Sequence, residues 1–152
     1  MTAARANVHG TAIVLGTRGF LITGPSGIGK SRLALACITA AQQAGHFAAL
    51  VADDRVDLRL EHDRIVARCP PSIHGLIEIR GAGIGKIETV PAAVMDWALL
   101  PVSAPFDPRL APEDERLPLP FGRALPIVRV PVEEGAQTLD ILRMLIAEKL
   151  GF

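Results

Sequence analysis

Residues 19–31 read GFLITGPSGIGKS: a short apolar run, then a glycine-rich octet at 24–31 that satisfies G-x-x-x-x-G-K-[ST] through Gly24, Gly29, Lys30 and Ser31. The residues that follow, Lys30 to Ala44, are mostly Ala, Leu and Ile and are stopped by Gly45, which reads as a helix with a C-terminal glycine. The octet therefore joins a strand to a helix. In that context glycines let the backbone curl so that successive N–H groups point inward, and the helix N-terminus adds partial positive charge. Lys30 can reach the β- and γ-phosphates of a nucleotide, and the Ser31 hydroxyl can ligate Mg²⁺. Gly24, Pro25, Ser26, Gly27, Ile28, Gly29, Lys30 and Ser31 are accordingly read as a nucleotide-binding P-loop.

Working outward, TAIVL (11–15) and GFLIT (19–23) are β-type runs separated by GTR, a connection of hairpin length, so the chain is expected to open with paired strands. FAALVA (47–52) has the composition of a buried strand and ends at Asp53 and Asp54. VDLRL and RIVAR alternate with period two around the polar turn EHD, and LIEIR (76–80) runs into GAGIG. Between Pro91 and Pro126 there are eight prolines, which predicts a long loop with neither regular helix nor interior strand. PIVRVPV (126–132) reads as one more strand. TLDILRMLIAEKLGF closes the chain as a helix with Thr138 as N-cap and Leu139, Leu142, Ile146 and Leu150 on one face. The expected architecture is a single α/β P-loop domain, 1–152, with a mixed rather than purely parallel sheet.

Composition narrows the partners. The 152 residues are 49% hydrophobic and 21% charged, with 16 basic against 16 acidic side chains. No overall positive field gathers nucleic acid or an anionic membrane. The N-terminal apolar stretch is short and broken by Gly10 and Gly16, and no run reaches membrane-spanning length, so a cytoplasmic protein is expected. Cys37 and Cys69 lack neighbours at metal-ligand spacing and are read as reduced thiols.

Several other residues carry chemistry. A carboxylate at the strand end VADD can bind Mg²⁺ directly or through water, or accept a proton from an attacking hydroxyl; a solvated turn is the alternative for Asp53 and Asp54. His9, just before the first strand, reads on its own as a surface or capping histidine. Glu78 and Arg80 point to the same side of a strand and suit either a metal-and-phosphate pair or a surface ion pair. Arg116, in EDERL, is either a solvated loop arginine or one that reaches over a transferring phosphoryl group. His46, His62 and His74 show no partner spacing.

VHG, GFLITGPSGIGKS with His9 21 residues before Lys30, LVADD, IEIRGAGI and DERLPL before VRVPV resemble, in order and spacing, the catalytic domain of bacterial HPr kinase/phosphorylase. The resemblance spans nearly the whole chain. It implies a fold related to phosphoenolpyruvate carboxykinase and ATP- and Mg²⁺-dependent phosphorylation of a serine on HPr, the phosphocarrier of the phosphotransferase system. It implies Lys30 as the phosphate-binding lysine, Ser31 and Glu78 as Mg²⁺ ligands, Asp54 as the base, and His9 and Arg116 as further catalytic groups. Asp53 supports the metal or orients Asp54.

The sequence departs from the family pattern in places. His9 falls almost at the start, as in a short form without the family's N-terminal domain, and Arg32 stands where the family commonly has Glu. The family's P-V-x-P-G-R-N, associated with phosphate-dependent dephosphorylation, is here PVEEGAQ (131–137), so a kinase with weak or absent phosphorylase activity is expected. The resemblance implies a homo-oligomer, and the short closing helix stands against the family's hexamer. The rival readings are a P-loop small-molecule kinase and a nucleotide-binding regulatory module without transfer chemistry.

Overall fold

The computed structural model describes residues 4–70, 75–79, 81–132 and 138–150, and side chains only to residue 145 in the closing helix. His74, Arg80 and the segment 133–137 of PVEEGAQ lie outside the described residues, as do the side chains of Ile146 and Leu150. In chain order the elements are β1 (Arg5–His9), β2 (Thr11–Leu15), β3 (Arg18–Ile22), α1 (Lys30–Gln43), β4 (Ala48–Ala52), β5 (Arg55–Glu61), β6 (Arg64–Arg68) and β7 (Leu76–Ile79). They continue with β8 (Gly83–Lys86), β9 (Ala92–Val94), β10 (Trp97–Val102), β11 (Arg116–Leu119), β12 (Arg123–Pro131) and α2 (Thr138–Leu150).

A six-stranded sheet in the order β11-β12-β10-β3-β2-β4 forms the centre. Strand β10 runs parallel to β3 and β12, while β2 lies antiparallel to β3 and β4, so the sheet is mixed as expected. Alternation along β2 divides the core in two. Ile13 and Leu15 pack with Phe20, Leu33, Cys37, Ile38 and Leu142 beneath the two helices. Ala12 and Val14 pack with Leu21, Val56, Leu58 and Ile65 against the four-stranded antiparallel sheet β1-β5-β6-β9. Burial on both faces explains why TAIVL, FLI and AALV are continuously apolar. Burial also pushes the Cys37 thiol up to about 12; both cysteines are free, as expected.

Helix α1 ends as the sequence predicts. Gly45 takes φ 85°, its N–H donates to the Gln42 carbonyl, and the His46 N–H donates to the Ala41 carbonyl, the two bonds of a Schellman motif. The turn between β5 and β6 has positive φ at both His62 and Asp63, the signature of a type I′ hairpin. No helix is long and apolar enough to cross a membrane among the described residues.

Three expectations are corrected. The chain does not open with the β2–β3 hairpin, because β1 precedes it and pairs with β5 across the second sheet. The stretch 91–126 is not one loop: it holds β9, β10, β11 and the start of β12, and β10 is an interior strand despite Pro101. Strand β10 pairs with β3 only as far as Leu99, whose carbonyl accepts from the Thr23 N–H. By alternation the Pro101 nitrogen faces the same side, where β3 has already turned away and no ladder bond is lost. The irregular connection shrinks to about residues 103–115. Finally, α2 begins at Thr138, whose buried hydroxyl has no hydrogen-bond partner among the described residues, so it does not cap the helix.

Candidate active site

The parallel strands β3 and β4 end at the same edge of the sheet, with β2 between them starting there, and the glycine octet crosses that edge into α1. A cavity of about 700 Å³ lies there, walled by residues 26–31 of the octet, His9, Thr11, Asp53, Asp54 and Glu78. Strand C-terminal edges are where open α/β sheets hold ligands.

Local backbone needs explain the glycines. Gly24 has φ 133°, and a Cβ there would stand 3.3 Å from Ile28 Cγ2 and 3.7 Å from Leu100 Cδ1. Gly29, at φ 101°, opens α1 without any side-chain cap, and the first turn carries no acidic residue. The partial positive charge at that helix start favours an anion. Lys30 is only 7% exposed, and its Nζ donates to the carbonyls of Gly24 (2.9 Å) and Pro25 (3.0 Å), folding the lysine back along the loop.

The two aspartates part company. Asp53 is 8% exposed. Its Oδ1 accepts from Ser31 Oγ at 2.7 Å and from Thr11 Oγ1 at 2.9 Å, and its Oδ2 accepts from the Glu78 N–H at 3.4 Å. Asp54, with its side chain 71% exposed, stands at the cavity mouth, its Oδ1 3.3 Å from His9 Nδ1. His9 Nε2 in turn lies 3.5 Å from Ser26 Oγ on the octet. The Arg55 N–H donates to the Asp53 carbonyl at 2.8 Å and closes a γ-turn around Asp54, whose φ of 70° marks the rare strained form. The Gly10 N–H pins the Asp54 carbonyl at 3.1 Å.

A bulge creates this division. The β2–β4 register runs Leu15↔Ala48, Val14↔Ala49, Ile13↔Leu50 and then jumps to Ala12↔Ala52, leaving Val51 extra. Val51 and Ala52 consequently both face the second core, although they are consecutive. Asp53 is thereby turned to the α1 side, where Leu50 and Ile13 point and Ser31 waits. Without the extra residue, alternation would send Asp53 toward the other sheet.

The structure thus brings together His9, the octet, Lys30, Ser31, Asp53, Asp54 and Glu78 from the sequence reading. It does not bring Arg116 to the cavity: that side chain is exposed at the start of β11, on the edge of the sheet. Sequence reasoning missed Thr11. Its only sequence signal is a hydroxyl at the first residue of an otherwise apolar strand. Among the described residues no three His, Cys, Asp or Glu side chains cluster to hold a metal by themselves. The donors present are oxygens of Ser31, Asp53 and Glu78, a set that fits Mg²⁺ completing its shell from phosphates and water.

The fold and site define a class: a mixed-sheet α/β protein whose glycine loop and helix start face two differently held carboxylates. The chain belongs to the family described as the HPr Serine kinase C-terminal domain, whose sequence model matches residues 1–93. It is similar to the HPr kinase/phosphorylase of Burkholderia lata, 39% identical over 141 residues that cover 88% of this chain and 42% of that protein. The HPr kinase/phosphorylase of Burkholderia cenocepacia is 38% identical with the same coverage. The chain therefore spans about 42% of the length of the curated relatives it matches. Among solved structures it resembles the Hpr(Ser) kinase/phosphatase from Coxiella burnetii, with a TM-score of 0.73 and 29% identity over 94% of this chain and 99% of that one.

Proposed function

We propose that this chain is an ATP-dependent serine kinase acting on an HPr-type phosphocarrier protein. Residues 24–31 serve as its P-loop, in one catalytic unit whose fold is related to phosphoenolpyruvate carboxykinase. The observation that carries the reading is the division of labour between adjacent aspartates, one buried against Ser31 and one exposed beside His9. Family membership and the names of the relatives support the same activity.

The octet and the start of α1 take the phosphates of ATP on backbone N–H groups, and Lys30 leaves the Gly24 and Pro25 carbonyls to reach the β- and γ-phosphates. Ser31 donates its proton to Asp53, which leaves the hydroxyl lone pairs facing the cavity. Ser31 and Glu78 would hold Mg²⁺, with Asp53 behind Ser31, and the ion would supply positive charge beside the phosphoryl oxygens. Asp54, open to a protein-sized acceptor, takes the proton of the substrate serine while His9 fixes the orientation of its carboxylate. For Arg116 the support is the sequence resemblance, and for weak or absent phosphorylase activity it is the replacement of P-G-R-N by EGAQ (134–137) near the C-terminus.

The test incubates the protein with labelled ATP, Mg²⁺ and HPr. Label is expected on a serine of HPr, with Lys30→Ala reducing it roughly a hundredfold or more. A protein that binds ATP but labels no acceptor would show the regulatory-module reading instead. Rapid release of phosphate from labelled HPr on adding inorganic phosphate would refute the weak phosphorylase.

A further inference from the structure

Asp53 has more donors than a directly ligating carboxylate needs. Three protein groups converge on its two oxygens, and two of them, Ser31 and Thr11, share Oδ1. Ser31 belongs to the octet and needs no further explanation. Thr11 has no part in the loop, lies 42 residues from Asp53 in sequence, is fully buried, and yet spends its hydroxyl on this carboxylate.

Its position follows from topology. Strand β2 runs opposite to β3 and β4 and lies between them, so its first residue is the one point of the strand at the edge where the octet and VADD both arrive. The bulge at Val51 then places Asp53 on the face that Thr11 shares with Ile13. Bulge and hydroxyl act together: the bulge turns the carboxylate to the α1 side, and Thr11 fixes its rotation. With Oδ1 held from both sides, the carboxylate stays aimed at the Ser31 proton, and the Ser31 lone pairs stay aimed at the cavity. A valine at position 11 is close to threonine in shape and removes one of the two donors on Asp53 Oδ1, leaving Ser31 alone on that oxygen.

We infer that Thr11 is a positioning residue that acts through Asp53 on the Ser31 hydroxyl and thereby sets the affinity of the site for a divalent cation bound with nucleotide. The inference rests on the kinase reading above and extends it to a buried residue whose hydroxyl is given to Asp53.

The experiment measures ATP binding by calorimetry as Mg²⁺ is titrated, in the absence of any acceptor, for the wild type, Thr11→Val, Thr11→Ser, Ser31→Ala and Thr11→Val/Ser31→Ala. Thermal unfolding of each variant is followed in parallel. Removing an outer partner of a metal ligand weakens metal binding about ten- to a hundredfold, and Thr11, one hydrogen bond further out behind Asp53, takes the lower end of that range. Thr11→Val is therefore expected to raise the Mg²⁺ concentration for half-maximal ATP binding roughly tenfold, with Mg²⁺-free binding unchanged. Thr11→Ser, which keeps the hydroxyl, should stay within about twofold of the wild type. In the Ser31→Ala background Thr11→Val should add nothing, since the two act as one unit. Wild-type Mg²⁺ dependence in a folded Thr11→Val, or full additivity with Ser31→Ala, overturns the role of Thr11. If Thr11→Val does not fold, a Thr11→Ser that folds but shows the tenfold shift overturns it as well. A wild type whose ATP binding ignores Mg²⁺ overturns the kinase reading itself.

Discussion

At the scale of single residues, the site depends on a backbone conformation that aspartate does not favour. Asp54 sits at φ 70° within its γ-turn, a conformation that costs on the order of 1–3 kcal/mol for a residue with a Cβ. The strain presents its carboxylate at the cavity mouth while Asp53 stays buried. Glycine removes the strain, loses an exposed contact with His9 of little worth, and adds some unfolded-state entropy. Asp54→Gly is therefore expected to gain about 1 kcal/mol in denaturant unfolding while abolishing phosphoryl transfer. A loss of stability on that substitution would show that the γ-turn is not strained. The octet, Asp53 and Asp54 were legible in the sequence because a glycine motif and a strand-end pair of carboxylates announce their chemistry. Which aspartate does what was not legible, since that depends on a one-residue bulge inside an unbroken apolar run.

At the scale of elements, two contacts hold neighbouring strands and turns in place. Gly19, in β3, meets the turn into β10: its carbonyl accepts from the Asp96 N–H at 2.8 Å and its N–H donates to Asp96 Oδ2 at 2.9 Å. A Cβ on Gly19 would stand 1.9 Å from the Val94 carbonyl oxygen, a collision with backbone that no side-chain rotation relieves. Gly19→Ala should cost about 3 kcal/mol in denaturant unfolding by forcing β9 away from the central sheet. The second contact clamps β11 to β12. Arg129 donates from Nε to Glu115 Oε1 at 2.9 Å and from Nη2 to Oε2 at 2.7 Å. Hydrogen bonding from Arg129 holds the Glu115 carboxyl below its ordinary range. A depressed carboxyl contributes stability that is present above the unfolded-state value and lost as pH falls through the folded one. Glu115→Gln should thus melt lower than the wild type at neutral pH, and the gap should close on acidification; a gap constant with pH contradicts the clamp. Proline density hid these strands. The reading of 91–126 as loop failed because prolines fit a ladder wherever their nitrogens face an unpaired side, as at Pro101, or at an edge strand such as β11. Strand β8 was equally hidden, being exposed throughout and held by β7 rather than by an apolar face.

At the scale of the whole molecule, the chain's chemistry is concentrated at one edge of the central sheet. Helix α1 delivers Ser31 and Lys30, β1 delivers His9, β2 delivers Thr11, and the β4–β5 junction delivers both aspartates. Residues from His9 to Glu78 thereby build one cavity, and the central claim is that its adjacent carboxylates hold different offices. The most direct test compares Asp53→Asn with Asp54→Asn in two readouts on the same preparations: Mg²⁺-dependent ATP binding, and transfer of label from ATP to a serine of HPr. Asp53→Asn is expected to lose both. Asp54→Asn, an isostere that tolerates positive φ, is expected to bind Mg²⁺ and ATP as the wild type does and to transfer label at least a hundredfold more slowly. Equal loss of binding in both variants, or wild-type transfer by Asp54→Asn, would contradict the account.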